Sequence, residues 1–138
     1  MKTNPFAKVS TLATTELHIK KPDGRPMYFI DKDGKEDLNR PTTFVLRSSD
    51  TKEHKEMMRE LFASLKKSKK EDFDRLMYTQ EATLKSHIVE WYNFPDGDGG
   101  EVPFNKENLH FLVTEEGVGY IRNQVNQEVA ATENFMKS

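Results

Sequence analysis

At Asp50 the hydrophobic period of the chain changes from about two residues to about 3.6, which restricts the fold to a β and turn part followed by a helical part. Upstream, Thr14–Lys20 alternates Leu17 and Ile19 with polar neighbours, as a half-buried strand does. Pro22, Asp23 and Gly24 then signal a turn. Met27–Ile30 is a short, more apolar strand, Asp31, Lys32, Asp33 and Gly34 form a second turn signal, and Pro41 precedes a third strand, Thr42–Arg47. Residues 1–10 read as loose chain or an edge strand. Three such strands make a meander too small to stand alone, so helices must cover one of its faces.

Downstream, Asp50, Thr51, Lys52 and Glu53 have capping-box spacing, with Asp50 placed to accept an orphan amide. Met57, Met58, Leu61, Phe62 and Leu65 then follow at helical spacing, predicting a helix of about four turns. Ser68, Lys69, Lys70 and Glu71 repeat the box. The stripe Phe73, Leu76, Met77, Leu84, Ile88 and Trp91 predicts a long second helix, unbroken until Pro95. The short link between the two favours an antiparallel pair. Asn105 is a good cap for a third helix, Glu107 suits its positive end, and Leu109, Leu112 and Val113 supply its buried side. Gly117 and Gly119 end it. Ile121, Val125 and Val129 mark a fourth helix, while Phe135 and Met136 have no evident place. The expected fold is α+β and mostly helical: a small N-terminal antiparallel β meander packed on about four α-helices. It forms a single domain over residues 1–138, with 1–49 rich in β and turns and 50–138 helical.

With 35% hydrophobic and 32% charged residues, long exposed helix faces or apolar surface satisfied by a partner are expected. There is no cysteine, so disulfides and thiolate chemistry are excluded. The first residues lack a continuous apolar run, and nothing approaches the ~18 apolar residues of a membrane span. Neither export by an evident signal nor membrane insertion is expected. Charge is uneven. Residues 1–49 carry nine Lys/Arg against six Asp/Glu, whereas residues 95–138 carry three against eight. This is either ordinary solvated surface or the basis of head-to-tail association between copies.

The chemistry-bearing patterns are few. Asp96, Asp98 and Glu107 fall at the first, third and twelfth positions of a calcium loop. Gly100, Glu101 and Pro103, however, stand where that loop needs a ligand, its glycine and an ordinary residue. The glycines of this stretch are ringed by acids, which disfavours phosphate. His18, His54, His87 and His110 lack metal-ligand spacing, and Ser48, Ser49 and Asp50 lack a nucleophile elbow. Lys66, Lys67, Lys69 and Lys70 are the one basic cluster, in a chain of pI ≈ 6.1. No enzyme activity, cofactor or metal is therefore expected. Met57 and Met58 adjoin and cannot both be buried equally by one stripe, leaving core filling or partner contact open. Trp91, Tyr92, Phe94 and Phe104 flank the glycine run. They either staple it to the core or anchor an interface.

The run Ile88, Trp91, Asp96–Gly100 and Val102-Pro103-Phe104-Asn105, followed by Glu107, Asn108 and Leu109, resembles the tail assembly chaperones of long-tailed bacteriophages. There a Trp ends a helix, an acidic glycine-containing connector follows, and a Val-Pro-aromatic segment opens the next helix. The resemblance spans roughly residues 84–129 and before residue 50 is architectural only. Tyr92–Pro95 replaces a shorter glycine-containing link, and Glu116–Gly119 stands where relatives often have a proline. It implies a non-enzymatic factor in the host cell cytoplasm, absent from the mature virion. Such a factor binds the tape measure protein, keeps it soluble while tail tube protein polymerises around it, and self-associates. Many such proteins are also made as a longer, frameshifted product. On this reading Met57, Met58, Trp91, Tyr92, Phe94, Phe104 and Leu109 serve partner binding or self-association, with neither nucleic acid nor membrane as partner. The alternatives are a weak divalent-cation module using Asp96, Asp98 and Glu107, or a small nucleic-acid-binding regulator using Lys66–Lys70.

Overall fold

The computed structural model describes residue 5 and residues 13–68, 71–131 and 135. The elements run β1 (Thr14–His18), β2 (Tyr28–Ile30), β3 (Glu36–Pro41), β4 (Thr43–Arg47), α1 (Lys52–Lys67), α2 (Asp72–His87), β5 (Ile88–Tyr92), α3 (Lys106–Thr114) and α4 (Gly119–Ala130). Residues 1–10 other than residue 5, Lys69 and Lys70 of the second capping box, and Met136 lie outside the described residues.

This corrects the expected fold class. The protein is mixed α+β, with four helices and five strands in two small sheets, and among the described residues 45% are helical and 24% are strand. It is not mostly helical, and the strands do not form an N-terminal meander. One antiparallel sheet has the order β1-β4-β5, and β2 pairs with β3 in a separate hairpin. The fifth strand comes from what reads as the end of the second helix. Leu84, Ile88 and Trp91 have helical spacing, but β5 pairs Glu90 with Val45 and Ile88 with Leu46, so the register skips Val89. That bulge lets Ile88 and Trp91, three residues apart, face the same side, reproducing a helical interval within a strand. The β-branched and aromatic run Ile88, Val89, Trp91 and Tyr92 suits a pleated surface better than a helix.

β4 is the central strand because it can bury alternate residues on one face. Phe44 and Leu46 are fully enclosed, and Phe44 lies opposite both Leu17 and Trp91. The helices close over this face. Ile121 and Val125 of α4, Leu112 and Val113 of α3, and Leu84 of α2 complete one core, which Phe135 also enters. Each side chain fully buried there contributes about 1.5–3 kcal/mol. Gln124 of α4 clamps the β layer by pairing with the backbone of Lys20. Its Oε1 accepts from Lys20 N at 2.7 Å, and its Nε2 donates to Lys20 O at 2.8 Å.

The β2–β3 hairpin is sewn to the sheet where Ile19 N donates to Thr42 O, Thr42 N to Met27 O and Met27 N to Ile19 O. β3 escaped the sequence reading because Glu36, Asp37, Asn39 and Arg40 carry little strand signal, and Leu38 stays exposed.

α1 begins one residue later than the capping box implies. Thr51, in extended backbone, accepts from His54 N at 3.2 Å, while the Asp50 carboxylate takes Lys55 Nζ at 3.1 Å. α1 lies antiparallel on α2, as the pairs His54–Ser86 and Met58–Thr83 fix. The cap of α2 is Glu71, which makes no side-chain cap bond. Asn105 caps α3, its Oδ1 accepting from Asn108 N at 2.8 Å.

Candidate docking surface

The residues singled out from the sequence fall into three groups. Trp91, Phe94, Phe104 and Leu109 come together. Trp91 is 5% exposed, stacks on Phe44 at 5.2 Å, meets the edge of Phe104 at 4.9 Å and donates from Nε1 to Val102 O at 2.9 Å. Phe94 and Leu109 are half-buried against the same core. This cluster fastens the connector to the body, with Phe104 still 36% exposed. Tyr92 stands apart on the edge strand, its hydroxyl donating to Glu16 Oε1 at 2.9 Å; desolvation first, and then Glu16, push its pKa up. Met57 and Met58 sit on α1, away from both. Met57 is exposed with its Sδ 3.5 Å from Arg47 Nη1, and Met58 is half-buried against Thr83.

Asp96, Asp98 and Glu107 do not converge: among the described residues no group of three or more His, Cys, Asp or Glu could hold a metal ion. Asp96 instead shapes its own turn, Oδ1 accepting from Asp98 N at 2.7 Å and Gly100 N at 3.0 Å. Asp31 does the same with Asp33 N and Lys35 N at 2.9 and 3.0 Å. The two Asp-x-Asp-Gly sequences are thus the same turn made twice, and they pack together. Gly99 has φ +90°, and a Cβ there would lie 2.7 Å from Lys32 Cγ and 2.9 Å from Lys32 Cα. Arg40 ties the same junction by pairing with Glu101, donating to Asn93 Oδ1 at 3.1 Å and lying 3.7 Å over the Phe29 ring. Gly99→Ala is therefore expected to cost about 1–3 kcal/mol, from left-handed backbone plus overpacking. Gly97→Ala, with φ +91° but open space, is expected to cost less. Thermal unfolding of the two variants checks the order, and equal midpoints would contradict the close packing.

Ser86 Oγ and His54 Nδ1 lie 2.8 Å apart as a serine–histidine pair, but Ser86 is fully buried near the C-terminal end of α2 and out of reach of any substrate. It is a structural contact. Lys66 and Lys67 are exposed at the end of α1, where cations suit the negative end of the helix dipole.

Of the residues singled out, Met57, Tyr92 and Phe104 keep part of their surface open, but the barest apolar side chains of the helices are others. Phe73, Leu76 and Met77 are 70%, 54% and 39% exposed, and Phe62 on α1 is 59% exposed. Phe73, Leu76 and Met77 stand at i, i+3 and i+4, so they adjoin on one side of α2. Phe73, Met77 and Leu84 continue down that face at intervals of four and seven. Leu84 is covered by the body, whereas Phe73, Leu76 and Met77 in the first turns of α2 are bare. Between that face and α3 and α4 opens a cleft of about 540 Å³, lined by Met77, Thr83, Leu84, Val113, Asn123 and Asn126 among others. The signal for this surface was present in the sequence. Two helices carrying Met57, Met58, Leu61, Phe62, Leu65, Phe73, Leu76 and Met77 have more apolar side chains than one mutual contact can hide. An apolar helix face rimmed by polar groups is the kind that receives another amphipathic helix.

No helix of the described residues is long and apolar enough to cross a membrane. Compared with models of known protein families, with curated proteins and with solved structures, the chain matches none.

Proposed function

We propose that this chain is a tail assembly chaperone of a long-tailed bacteriophage, holding the apolar helices of the tape measure protein while tail tube protein assembles around it. The observation that carries the reading is the bare apolar face of α2 formed by Phe73, Leu76 and Met77. A tape measure helix laid there would continue the packing that Leu84 already makes lower on the same face. The residue pattern from Ile88 to Leu109 motivates it as well, with one departure: Trp91 lies in β5 and does not end a helix. Methionine at the rim adapts to a series of different helix segments, as a long partner requires. On this reading the protein acts in the host cell cytoplasm, is left out of the mature virion and associates with itself before the partner arrives.

The test is co-expression with a fragment of the tape measure protein from the same genome. The fragment is expected to move from the insoluble to the soluble fraction and to co-purify with this chain. A fragment that stays insoluble, with this chain folded and abundant, overturns the proposal.

A further inference from the structure

The two buried histidines, His54 of α1 and His87 of α2, have their rings stacked at 4.3 Å with planes 19° apart. Hydrogen-bond bookkeeping fixes their tautomers. His87 Nδ1 lies 2.9 Å from Arg47 O, a carbonyl that only accepts, so Nδ1 carries the proton. The Ser86 hydroxyl donates to Thr83 O, which also only accepts, and so receives its bond from His54 Nδ1 at 2.8 Å. Both rings are therefore Nδ1–H imidazoles, and any further proton must go to Nε2.

The charge environment is one-sided. Arg47 of β4, whose Nη1 donates to Ser86 O at 2.9 Å, is the charged group beside both rings. Nearby on α1, Glu53 and Lys55 are exposed, and Lys55 is taken up by Asp50. Lys85 of α2 is bonded to His110 Nδ1, and Glu90 of β5 is exposed. No carboxylate contacts the stack among the described residues. Beyond this cluster α1 is lightly held, since only His54 and Leu61 of its sixteen residues are buried and its main neighbour is α2.

We propose that the His54–His87 stack is an acid-opened latch: protonation separates α1 from α2 and β4 while the rest of the fold stays closed. Burial, then the neighbouring His87 and Arg47, holds His54 below its ordinary 6.5. Burial likewise lowers His87, opposed by its bond to the Arg47 carbonyl and reinforced by the Arg47 charge. A lowered pKa in the closed form means that the open form binds more protons below pH 6.5. Closure is thus fully present above about pH 6.5 and is lost as pH falls through the lowered values. A histidine that stays neutral when closed and titrates normally when open favours opening by about tenfold at one pH unit below 6.5. Opening would uncover Met58 and Leu61, so acid would add apolar helix surface whatever the α2 face binds.

Amide hydrogen-exchange protection measured at about pH 7.5 and about pH 5.5 tests the latch. Protection over α1 is expected to fall by about tenfold or more while protection over β4 holds. In His54→Phe, which keeps a stacked ring without a titrating group, the fall over α1 is expected to shrink by about tenfold. An equal fall in the variant, or a parallel loss over β4 in the native chain, overturns the proposal. Should His54→Phe not fold, ring titration of the native chain by NMR decides. Both histidines are expected to titrate below 6.5 with the incoming proton on Nε2, and either ring titrating at or above 6.5 overturns the latch.

Discussion

Trp91→Ala is expected to lower the unfolding free energy by about 3–5 kcal/mol, the usual range for truncating a buried tryptophan. The indole joins the central strand to the segment ahead of α3. Its face stacks on Phe44 of the central strand, its edge meets Phe104 ahead of α3, and its N–H reaches Val102 O across the acidic connector. Truncation opens a cavity under α3 and leaves the Val102 carbonyl without its partner. Domains of this size are stable by only about 5–15 kcal/mol, so the loss consumes a large part of the total. Urea unfolding followed by circular dichroism measures it. Trp91→Phe, which keeps an aromatic ring on Phe44 but loses the hydrogen bond and part of the indole's volume, is expected to cost about 1–3 kcal/mol. Equal costs for the two variants would show that the ring packing matters less than the geometry indicates.

Replacing Phe73, Leu76 and Met77 together by serine is expected to leave the fold standing and to abolish the hold on a tape measure fragment. All three side chains are exposed, so each substitution should change stability by no more than about 0.5 kcal/mol. Large apolar anchors at the centre of an interface are worth about 2 kcal/mol or more apiece, so two of them amount to roughly three orders of magnitude in Kd. Unfolding midpoint and soluble yield of the co-expressed fragment, read on the same protein, separate the two effects. A variant that still solubilises the fragment would move the docking surface elsewhere.

The sequence made visible the elements whose signal is local. The apolar run in Thr42–Arg47 after Pro41 marked a strand, the Asp-x-Asp-Gly sequence at Asp31 marked a turn, and Asn105 marked a helix start, because each rests on chemistry within four or five residues. The second helix was read too long because a bulged strand and a helix share the interval between Ile88 and Trp91. Only pairing with β4, more than forty residues upstream, decides between them. The bare face of α2 was half legible. The stripes of both helices were evident, but which side chains stay bare depends on where α3 and α4 end against α2. The histidine pair was invisible, since His54 and His87 meet only through the antiparallel pairing of α1 with α2. Of the aromatic group around the glycine run, Trp91 is core and Phe94 packs against it, whereas Tyr92 and Phe104 stay partly exposed.

Hydrogen-exchange footprinting of the complex with a tape measure fragment tests the central claim most directly. Protection should rise over residues 72–80 of α2, where the apolar face is bare, and stay unchanged over the twin turns at residues 31–35 and 96–100. Protection gained at those turns or along the β1–β5 sheet edges, with residues 72–80 unaltered, would contradict it.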